Sequence, residues 1–283
     1  MQNHSLWPAP AKLNLMLRIT GRAPNGYHLL QTVFQLLDYG DELSFELTSQ
    51  SDIRLTCSIP ELETDDNLIT RAARALEPFR NNKKGVHIHL DKKLPMGGGV
   101  GGGSSDAATT LVALNQLWQC EQSTEQLADI GKTLGADVPV FVHGKTAWAE
   151  GIGEELTPID IPPQHYLVVY PECFVSTPRI FGHQALTRNC ETWKIRDFLA
   201  QGQPYIGENV MESVVFDLYP EVKEAYDWLI QHNPNTRMTG SGSCLFSTFD
   251  NQRELRKIAA LCRWPHFIAS GVSESALLSK VAN

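Results

Sequence analysis

A glycine-rich stretch, PMGGGVGGGSS, is the feature of this sequence that most restricts its fold. It comprises Pro95, Met96, Gly97, Gly98, Gly99, Val100, Gly101, Gly102, Gly103, Ser104 and Ser105. Because glycine has no Cβ atom, such a backbone can adopt positive φ angles and approach a ligand closely. An alternating strand pattern (Val86, Ile88 and Leu90) precedes it, and a helical apolar pattern follows it. This arrangement predicts that converging N–H groups and the N-terminus of the helix bind a phosphate group.

Other sites built on glycine-rich loops fit this stretch less well. The pattern G-x-G-x-x-G is formally present at Gly97, Gly99 and Gly102, but a dinucleotide fold also needs a strand that ends in an acid about 20 residues later. Glu121 lies near that distance, yet the residues before it follow a helical pattern. The stretch lacks the lysine of the P-loop, and the chain lacks the H-R-D and D-F-G sequences of protein kinases. A flexible linker would not be bounded by a strand and a capped helix.

The helix after the loop is predicted to begin near Ser104 or Ser105, because serine is a favourable N-cap residue. Either hydroxyl could also contact phosphate oxygens or help to hold Mg²⁺. Asp106 is interpreted as an acid in the first turn, where a negative charge is favourable to the helix dipole.

Asp137 lies at a predicted bend. Ser123 and Gln126 form a capping-box pattern that starts a helix, and Gly135 is placed to end it. Val138 precedes a proline and is expected to leave the α region, which puts Asp137 at the bend. An aspartate here could cap the turn, or it could accept the proton of a hydroxyl that attacks a phosphate.

The segment from Ala11 to Ile19 alternates with a period of two, which predicts a strand. Lys12 and Asn14 then point to the same side, away from the apolar face. A lysine on the polar face of a strand is usually solvent-exposed, so the pattern alone leaves its role open.

The chain of 283 residues is long enough for two domains. Thr157-Pro158 and Pro162-Pro163 interrupt the pattern, and the predicted domains are 1–156 and 157–283. Strand and helix patterns occur without regular βαβ alternation, which favours an α+β fold over a doubly wound sheet.

Composition limits the partners and the location. The net charge of −8 argues against a general nucleic-acid binder, which needs a basic surface. The apolar runs are too short to span a membrane. The six cysteines form no C-x-x-C pair and are predicted to be reduced thiols. We therefore expect a cytoplasmic protein that binds a small molecule and has no nucleic-acid or membrane partner.

Several segments together carry a resemblance to a known family. PMGGGVGGGSSDAA at 95–108 resembles the central motif of the GHMP kinases, and PAKLNLML at 10–17, GADVPVF at 135–141 and TGSGSCLF at 239–246 fit the same family. The segment GRAPNGYHLLQTVFQ at 21–35, with a predicted turn at Asn25-Gly26, is similar to one branch of it. That branch phosphorylates the hydroxyl of a methylerythritol that carries a cytidine diphosphate.

The resemblance implies a two-domain α+β fold with the active site in the cleft between the domains. It implies ATP as the phosphate donor, with Mg²⁺ held mainly through the nucleotide phosphates and no metal site made of side chains. No obligate protein partner is expected. Asp137 matches the catalytic base of the family, and Lys12 matches its lysine partner.

The resemblance also assigns roles in binding. Tyr27 and Phe181 would sandwich the cytosine ring while His28 reads its edge, although each aromatic residue taken singly is more often a core residue. The methylerythritol end and the phosphates would be bound by Asn14, Thr177, Gly240 and Ser241. Asn67 and Lys92 match positions near the adenosine; alternatively, Asn67 is a helix N-cap and Lys92 is a solvated residue beside Lys93.

Overall fold

The computed structural model describes residues 6–24, 26–202 and 205–281, so Asn25 of the predicted turn lies outside the described residues. Its strands are β1 (Leu6–Arg22), β2 (His28–Thr48), β3 (Ile53–Cys57), β4 (Gly85–Asp91), β5 (Ala147–Glu150), β6 (Glu155–Pro158), β7 (His165–Val169), β8 (Thr236–Met238), β9 (Leu245–Phe249) and β10 (His266–Val272). Its helices are α1 (Leu68–Leu76), α2 (Gly102–Leu117), α3 (Thr124–Leu134), α4 (Val138–His143), α5 (Thr177–Gly182), α6 (Ile195–Leu199), α7 (Glu212–Leu218), α8 (Pro220–His232), α9 (Gln252–Ala259) and α10 (Ala276–Val281). Two short 3₁₀ helices span Pro60–Leu62 and Glu77–Phe79.

The strands form one sheet in the order β3-β4-β2-β10-β7-β9-β8, with β1 and β5 also paired to β2 and β6 paired to β5. Among the described residues the β3–β4 pair is parallel, and the other strand pairs are antiparallel. A doubly wound fold would require mainly parallel pairs with helical crossovers. The predicted α+β class is therefore confirmed.

Two of the three hydrophobic cores of the described residues lie on either side of a narrow junction in the sheet. One core packs α1, α2, α3 and α4 on the strands of the N-terminal half, and the other packs α7, α8 and α9 on the strands of the C-terminal half. The halves are joined where Gly271 and Val272 of β10 pair with Leu37 and Leu36 of β2. The division of the chain at 156/157 stays a prediction; β6 crosses it.

Strand β1 is buried on both sides. Leu13 and Leu15 face a hydrophobic cluster, and Lys12 and Asn14 share the opposite side as the period of two predicts. That opposite side is not solvated: Lys12 is 2 % exposed and Asn14 is 3 % exposed. A buried lysine needs anionic or hydrogen-bonding partners, so its position points to a role inside the protein.

Two further features bear on the expectations from composition. In the part of the chain that the structure describes, no helix is both long and apolar enough to cross a lipid bilayer. All six cysteines are unpaired, with Cys57, Cys120 and Cys244 buried.

Candidate active site

A cleft of about 1150 Å³ lies between the two halves. Its walls come from the glycine-rich stretch, from β1 and the start of β2, from residues 174–182 and from the turn at 240–242. The cleft brings together the following predicted site residues: Lys12, Asn14, Tyr27, His28, Asn67, Lys92, residues 95–104, Asp137, Thr177, Phe181, Gly240 and Ser241. Ser105 is not among its lining residues. It is fully buried, and within the described residues its hydroxyl has no hydrogen-bond partner.

The glycine-rich stretch forms the turn that starts α2. Gly97, Gly99 and Gly101 adopt φ angles of 67°, 76° and 77°, and Gly101 is the N-cap residue. The prediction that Ser104 or Ser105 caps the helix is therefore wrong, because the left-handed glycine ends the loop before either serine is reached. The unpaired N–H groups of the first turn begin at Gly102, inside the glycine run, where no side chain separates them from a ligand.

The loop is held closely between two other segments. Lys12 N donates to Val100 O at 3.0 Å, and Cys244 N donates to Gly98 O at 3.0 Å. A Cβ atom on Gly99 would lie 2.3 Å from the carbonyl oxygen of Thr239. Glycine is therefore required at Gly99 by its φ angle and by the close approach of the 239–244 segment.

Lys12 is a buried cation on the wall of the cleft. Its Nζ atom donates to Asn14 Oδ1 at 2.6 Å and to Gly99 O at 2.9 Å, and it lies 3.3 Å from Oδ2 of Asp137. Asn14 is fixed in turn, since its Nδ2 atom donates to Thr32 Oγ1 at 2.8 Å. The ammonium is thus placed between the phosphate-binding loop and the carboxylate.

Asp137 is the N-cap residue of α4, but its side chain makes no capping hydrogen bond. Its carboxylate turns instead toward Lys12, and its side chain is 36 % exposed to the cleft. The alternative that Asp137 caps the turn is therefore wrong. The expectation that Val138 leaves the α region is also wrong: α4 begins there, and Pro139 lies in the first turn, where a helix does not need its N–H group.

Lys92 forms a buried charge cluster with two aspartates under the loop. Its Nζ atom lies 2.5 Å from Asp41 Oδ2 and 2.8 Å from Asp106 Oδ2, and all three side chains are 5 % exposed or less. Burial disfavours the ammonium, but the charges of Asp106 and Asp41 outweigh burial and raise the pKa of Lys92. The alternative of a solvated Lys92 is therefore wrong.

Asp106 differs from its predicted role. Because α2 begins at Gly102, Asp106 lies beyond the first turn and pairs with Lys92 rather than with the helix dipole. Burial, with a further contribution from the charge of Asp41, raises the pKa of Asp106 to about 7, although Lys92 acts in the opposite direction. The cluster holds one cation between two carboxyl groups at the base of the phosphate loop.

The predicted cytosine residues lie at the far end of the cleft. The rings of His28 and Phe181 stack with centroids 4.9 Å apart and planes 27° from parallel, and Tyr27 is 61 % exposed. Burial, and then the charges of Arg188 and Arg22, lower the pKa of His28, so its ring is neutral at neutral pH. None of the three aromatic residues is fully buried, although Phe181 packs against the C-terminal core.

The turn at 240–242 faces the glycine-rich loop across the cleft. Thr177 Oγ1 and Ser241 Oγ are 2.6 Å apart, which joins α5 to this turn. Gly240 and Gly242 have φ angles of 59° and 89°. Asn209 donates from Nδ2 to Gly240 O at 2.8 Å and so holds the turn in place.

Asn67 lines the other end of the cleft and caps α1. Its Oδ1 atom accepts a hydrogen bond from Ile69 N at 2.9 Å. The N-cap alternative is therefore confirmed, and its position on the cleft is compatible with a second role.

Sequence reasoning did not single out Asp41, Asn209 or Arg188. Asp41 anchors the loop by accepting from Lys93 N and Leu94 N as well as pairing with Lys92. Each of these three residues is brought to the site by contacts far apart in the chain, and no local pattern marks them.

Comparisons with known proteins match both halves of the chain to one family. Residues 67–145 match the family model described as GHMP kinases N terminal domain, and residues 194–264 match GHMP kinases C terminal. A protein of Dechloromonas aromatica named 4-diphosphocytidyl-2-C-methyl-D-erythritol kinase is 51 % identical over 96 % of this chain and 98 % of its own length. A protein of the same name from Pseudomonas aeruginosa is 49 % identical over 97 % of this chain and 96 % of its own.

Solved structures show the same fold. A crystal structure of 4-(cytidine 5'-diphospho)-2C-methyl-D-erythritol kinase superposes with a TM-score of 0.83 at 32 % identity, covering 94 % of this chain and 99 % of the other. The mevalonate kinase of Methanococcus jannaschii superposes with a TM-score of 0.70 at 16 % identity, covering 96 % and 99 %.

Proposed function

This chain belongs to the GHMP kinase family, and from that premise we propose that it transfers a phosphoryl group from ATP to the C2 hydroxyl of 4-diphosphocytidyl-2-C-methyl-D-erythritol. The products are the 2-phosphate and ADP, in the non-mevalonate route to isoprenoid precursors. The observation that carries the proposal is the Lys12–Asp137 pair beside the glycine-rich loop, in a chain 51 % identical to a relative named for this reaction.

ATP is held by the glycine-rich loop. The N–H groups at the start of α2 and the helix dipole attract the phosphates, and the glycines leave the backbone open to them. Asn67, on the wall of the cleft beyond the loop, contacts the adenosine, and Lys92 lies beneath the loop. Lys92 already has two carboxyl partners, so its contribution to binding is mainly to fix the loop from below.

Asp137 acts as the base for the attacking hydroxyl. A carboxylate is a far weaker base than an alkoxide, so the proton moves to Asp137 while the bond to phosphorus forms, not before it. The Lys12 ammonium lies beside the Asp137 carboxylate and stabilises negative charge around the transferred group, and its contacts to Asn14 and Gly99 already hold it in place.

The alcohol substrate occupies the rest of the cleft. Asn14 lies beside the catalytic pair and binds the methylerythritol end, while Thr177, Gly240 and Ser241 bind the diphosphate from the opposite wall. The cytosine ring enters at Tyr27, His28 and Phe181. Phe181, stacked on His28, forms part of the aromatic wall of this end of the cleft.

Mg²⁺ enters with the nucleotide. Among the described residues no group of three His, Cys, Asp or Glu side chains is placed to hold a metal ion, and Mg²⁺ commonly binds through substrate phosphates with few protein ligands. Ser104, on the cleft at the start of α2, would offer a hydroxyl oxygen to such an ion beside the phosphates. When bound, it neutralises charge on the phosphates.

We also propose a cytoplasmic protein that acts on a small molecule without an obligate protein, nucleic-acid or membrane partner. The unpaired cysteines and the acidic net charge support this.

A coupled assay for ADP release tests the proposed function. We expect turnover with 4-diphosphocytidyl-2-C-methyl-D-erythritol and ATP, and only background rates with mevalonate or homoserine. Phosphate on the C2 oxygen, located by ³¹P NMR, identifies the product. Equal turnover of mevalonate, or ATP binding without turnover of any of these alcohols, would contradict the proposal.

A further inference from the structure

The guanidinium of Arg188 ties together the two rings at the far end of the cleft. Its Nε atom donates to Nε2 of His28 at 3.1 Å. Its Nη2 atom donates to the carbonyl oxygens of Phe181 and His183, both at 2.8 Å, and Nη1 donates to Leu186 O at 3.0 Å. Because every nitrogen of the planar group has an acceptor, the guanidinium is held in one orientation.

The two rings come from opposite halves of the molecule. His28 begins β2, whereas Phe181 lies in α5. Arg188 contacts the ring of one and the backbone of the other, so it fixes how the two stacked rings lie against each other.

The hydrogen bond from Arg188 also fixes the proton of the His28 ring. An arginine side chain has only donors, so the Nε2 atom that it contacts must be the unprotonated nitrogen. A neutral imidazole carries one N–H group, which is therefore on Nδ1. Burial and the charge of Arg188, followed by that of Arg22, lower the pKa of His28 and keep the ring in this neutral form.

We propose that Arg188 is a positioning residue of the nucleobase subsite. Arg188 holds His28 in the Nδ1–H form beside Phe181, and the site therefore prefers a base edge that accepts a hydrogen bond. Cytosine offers such an acceptor at its N3 atom, whereas uracil carries a hydrogen there. A donor facing a donor is left unpaired, and this disfavours uracil. The inference rests on the proposed function, because it names a determinant of specificity for the same substrate.

Three variants test it: Arg188→Met, Arg188→Lys and the control Arg179→Met. Arg179 is on the same helix as Phe181 but lies over the ring of Tyr219, 5.6 Å from its centroid. We expect Arg188→Met to raise KM for the cytidine substrate about 10-fold, with kcat and KM for ATP within about 2-fold of the original values. Arg188→Lys keeps a positively charged donor but loses the planar set of N–H donors of the guanidinium. Its KM should lie between that of the unchanged protein and that of Arg188→Met. Arg179→Met should match the unchanged protein.

The pH dependence distinguishes this role from a merely structural one. Without Arg188 the neutral His28 ring is free to carry its proton on Nε2, whereas the protonated ring has N–H groups on both nitrogens. In Arg188→Met, KM should therefore decrease as the pH is lowered from about 8 to 6, and more steeply than KM of the unchanged protein. The preference for the cytidine substrate over its uridine analogue should shrink in the same variant.

¹⁵N NMR of the histidine ring, recorded without ligand, reads the tautomer directly. We expect the proton on Nδ1 in the unchanged protein and a shift toward Nε2–H in Arg188→Met. An unchanged KM in Arg188→Met, a raised KM that does not respond to pH, or a proton on Nε2 in the unchanged protein would overturn the inference. Absence of turnover by the unchanged protein would instead overturn the proposed function, so the two failures are separable.

Discussion

Nζ of Lys12 lies 3.3 Å from Oδ2 of Asp137, although the first residue stands on β1 and the second lies just before α4. The two sides of this ion pair differ in exposure: the lysine side chain is 3 % exposed and the aspartate side chain is 36 % exposed. The cation is already surrounded by protein, whereas the carboxylate faces the cleft. A substrate hydroxyl can therefore reach Asp137 without displacing Lys12 from its hydrogen bonds to Asn14 and Gly99.

Replacing Asp137 by asparagine tests its role as the base. An amide keeps the size of the side chain but accepts a proton far less readily, so we expect kcat to decrease by about 100-fold or more. The dissociation constant for ATP, measured by calorimetry, should change by less than about 3-fold because the loop is intact. Asp129→Asn, an exposed change on the adjacent α3, is the matched control. A kcat near that of the control would exclude the role.

Replacing Lys12 by methionine removes the buried cation. We expect kcat to decrease by about 100-fold or more, because charge developing at the phosphoryl group loses its nearest stabilising group. Asn14 Oδ1 and Gly99 O also lose a donor, which should lower the free energy of unfolding by about 1–3 kcal/mol. Urea unfolding separates this stability loss from the rate loss. Lys257→Met, on the exposed face of α9, should alter neither quantity, and a variant of Lys12 that behaves like it would refute the assignment.

Alanine at Gly99 should be far more damaging than alanine at Gly202. Both glycines have left-handed backbones, with φ angles of 76° and 71°. A Cβ at Gly99 would meet the carbonyl oxygen of Thr239 at 2.3 Å, whereas a Cβ at Gly202 has open space around it. Gly202→Ala thus measures the backbone strain alone, about 1 kcal/mol. We expect Gly99→Ala to lose more stability than this in urea unfolding, together with at least about 10-fold in ATP affinity. Equal effects at the two positions would show that the 239–244 segment does not confine the loop.

The Lys92 cluster predicts a pH dependence of stability. Burial raises the pKa of Asp106 from 3.8 to about 7, so the folded protein holds this proton in a range where the unfolded chain has released it. The free energy of unfolding should therefore decrease as the pH rises from about 4 to 7, by at most about 1.4 kcal/mol per pH unit, and then level off.

Asp106→Asn removes this titration and keeps the size of the side chain. The difference in unfolding free energy between the unchanged protein and the variant should thus fall with pH up to about 7 and be constant above it. Urea unfolding at several pH values between about 5 and 8 gives this difference directly, since other groups titrate in both proteins. A difference that does not vary with pH would mean that Asp106 is ionised throughout the range.

Local patterns predicted those parts of the fold that local interactions decide. The capping box of Ser123 and Gln126 starts α3 as expected, and Gly135 ends it. The period of two placed Lys12 and Asn14 on one side of β1. The N-cap of α2 lies three or four residues before the predicted serines, because a left-handed glycine at Gly101 ends the loop before they can act as caps.

Contacts between segments that are distant in the chain could not be predicted from a single sequence. Asp41 reaches Lys92 across two paired strands, and Arg188 reaches His28 from the other half of the molecule. Nothing in the neighbouring residues distinguishes either of them from an ordinary charged surface residue. Only the folded arrangement shows that one supports the phosphate loop and the other meets the predicted cytosine site.

Replacing Phe181 by alanine tests the predicted contact with the cytosine ring. The Phe181 ring is half-buried, stacks on His28 and lines the cleft, so a base that enters the cleft can contact it. We expect KM for the cytidine substrate to increase about 10-fold, because stacking on an aromatic ring contributes about 1–3 kcal/mol per base. The value of kcat at saturating substrate should change by less than about 3-fold, since the reacting hydroxyl lies at the opposite end of the substrate from the cytosine ring. Phe79→Ala, at a 40 % exposed phenylalanine of the 3₁₀ helix Glu77–Phe79, is the control and should leave both constants unchanged. If Phe181→Ala lowered kcat and left KM unchanged, the ring would act on the chemistry or the fold and not on the base.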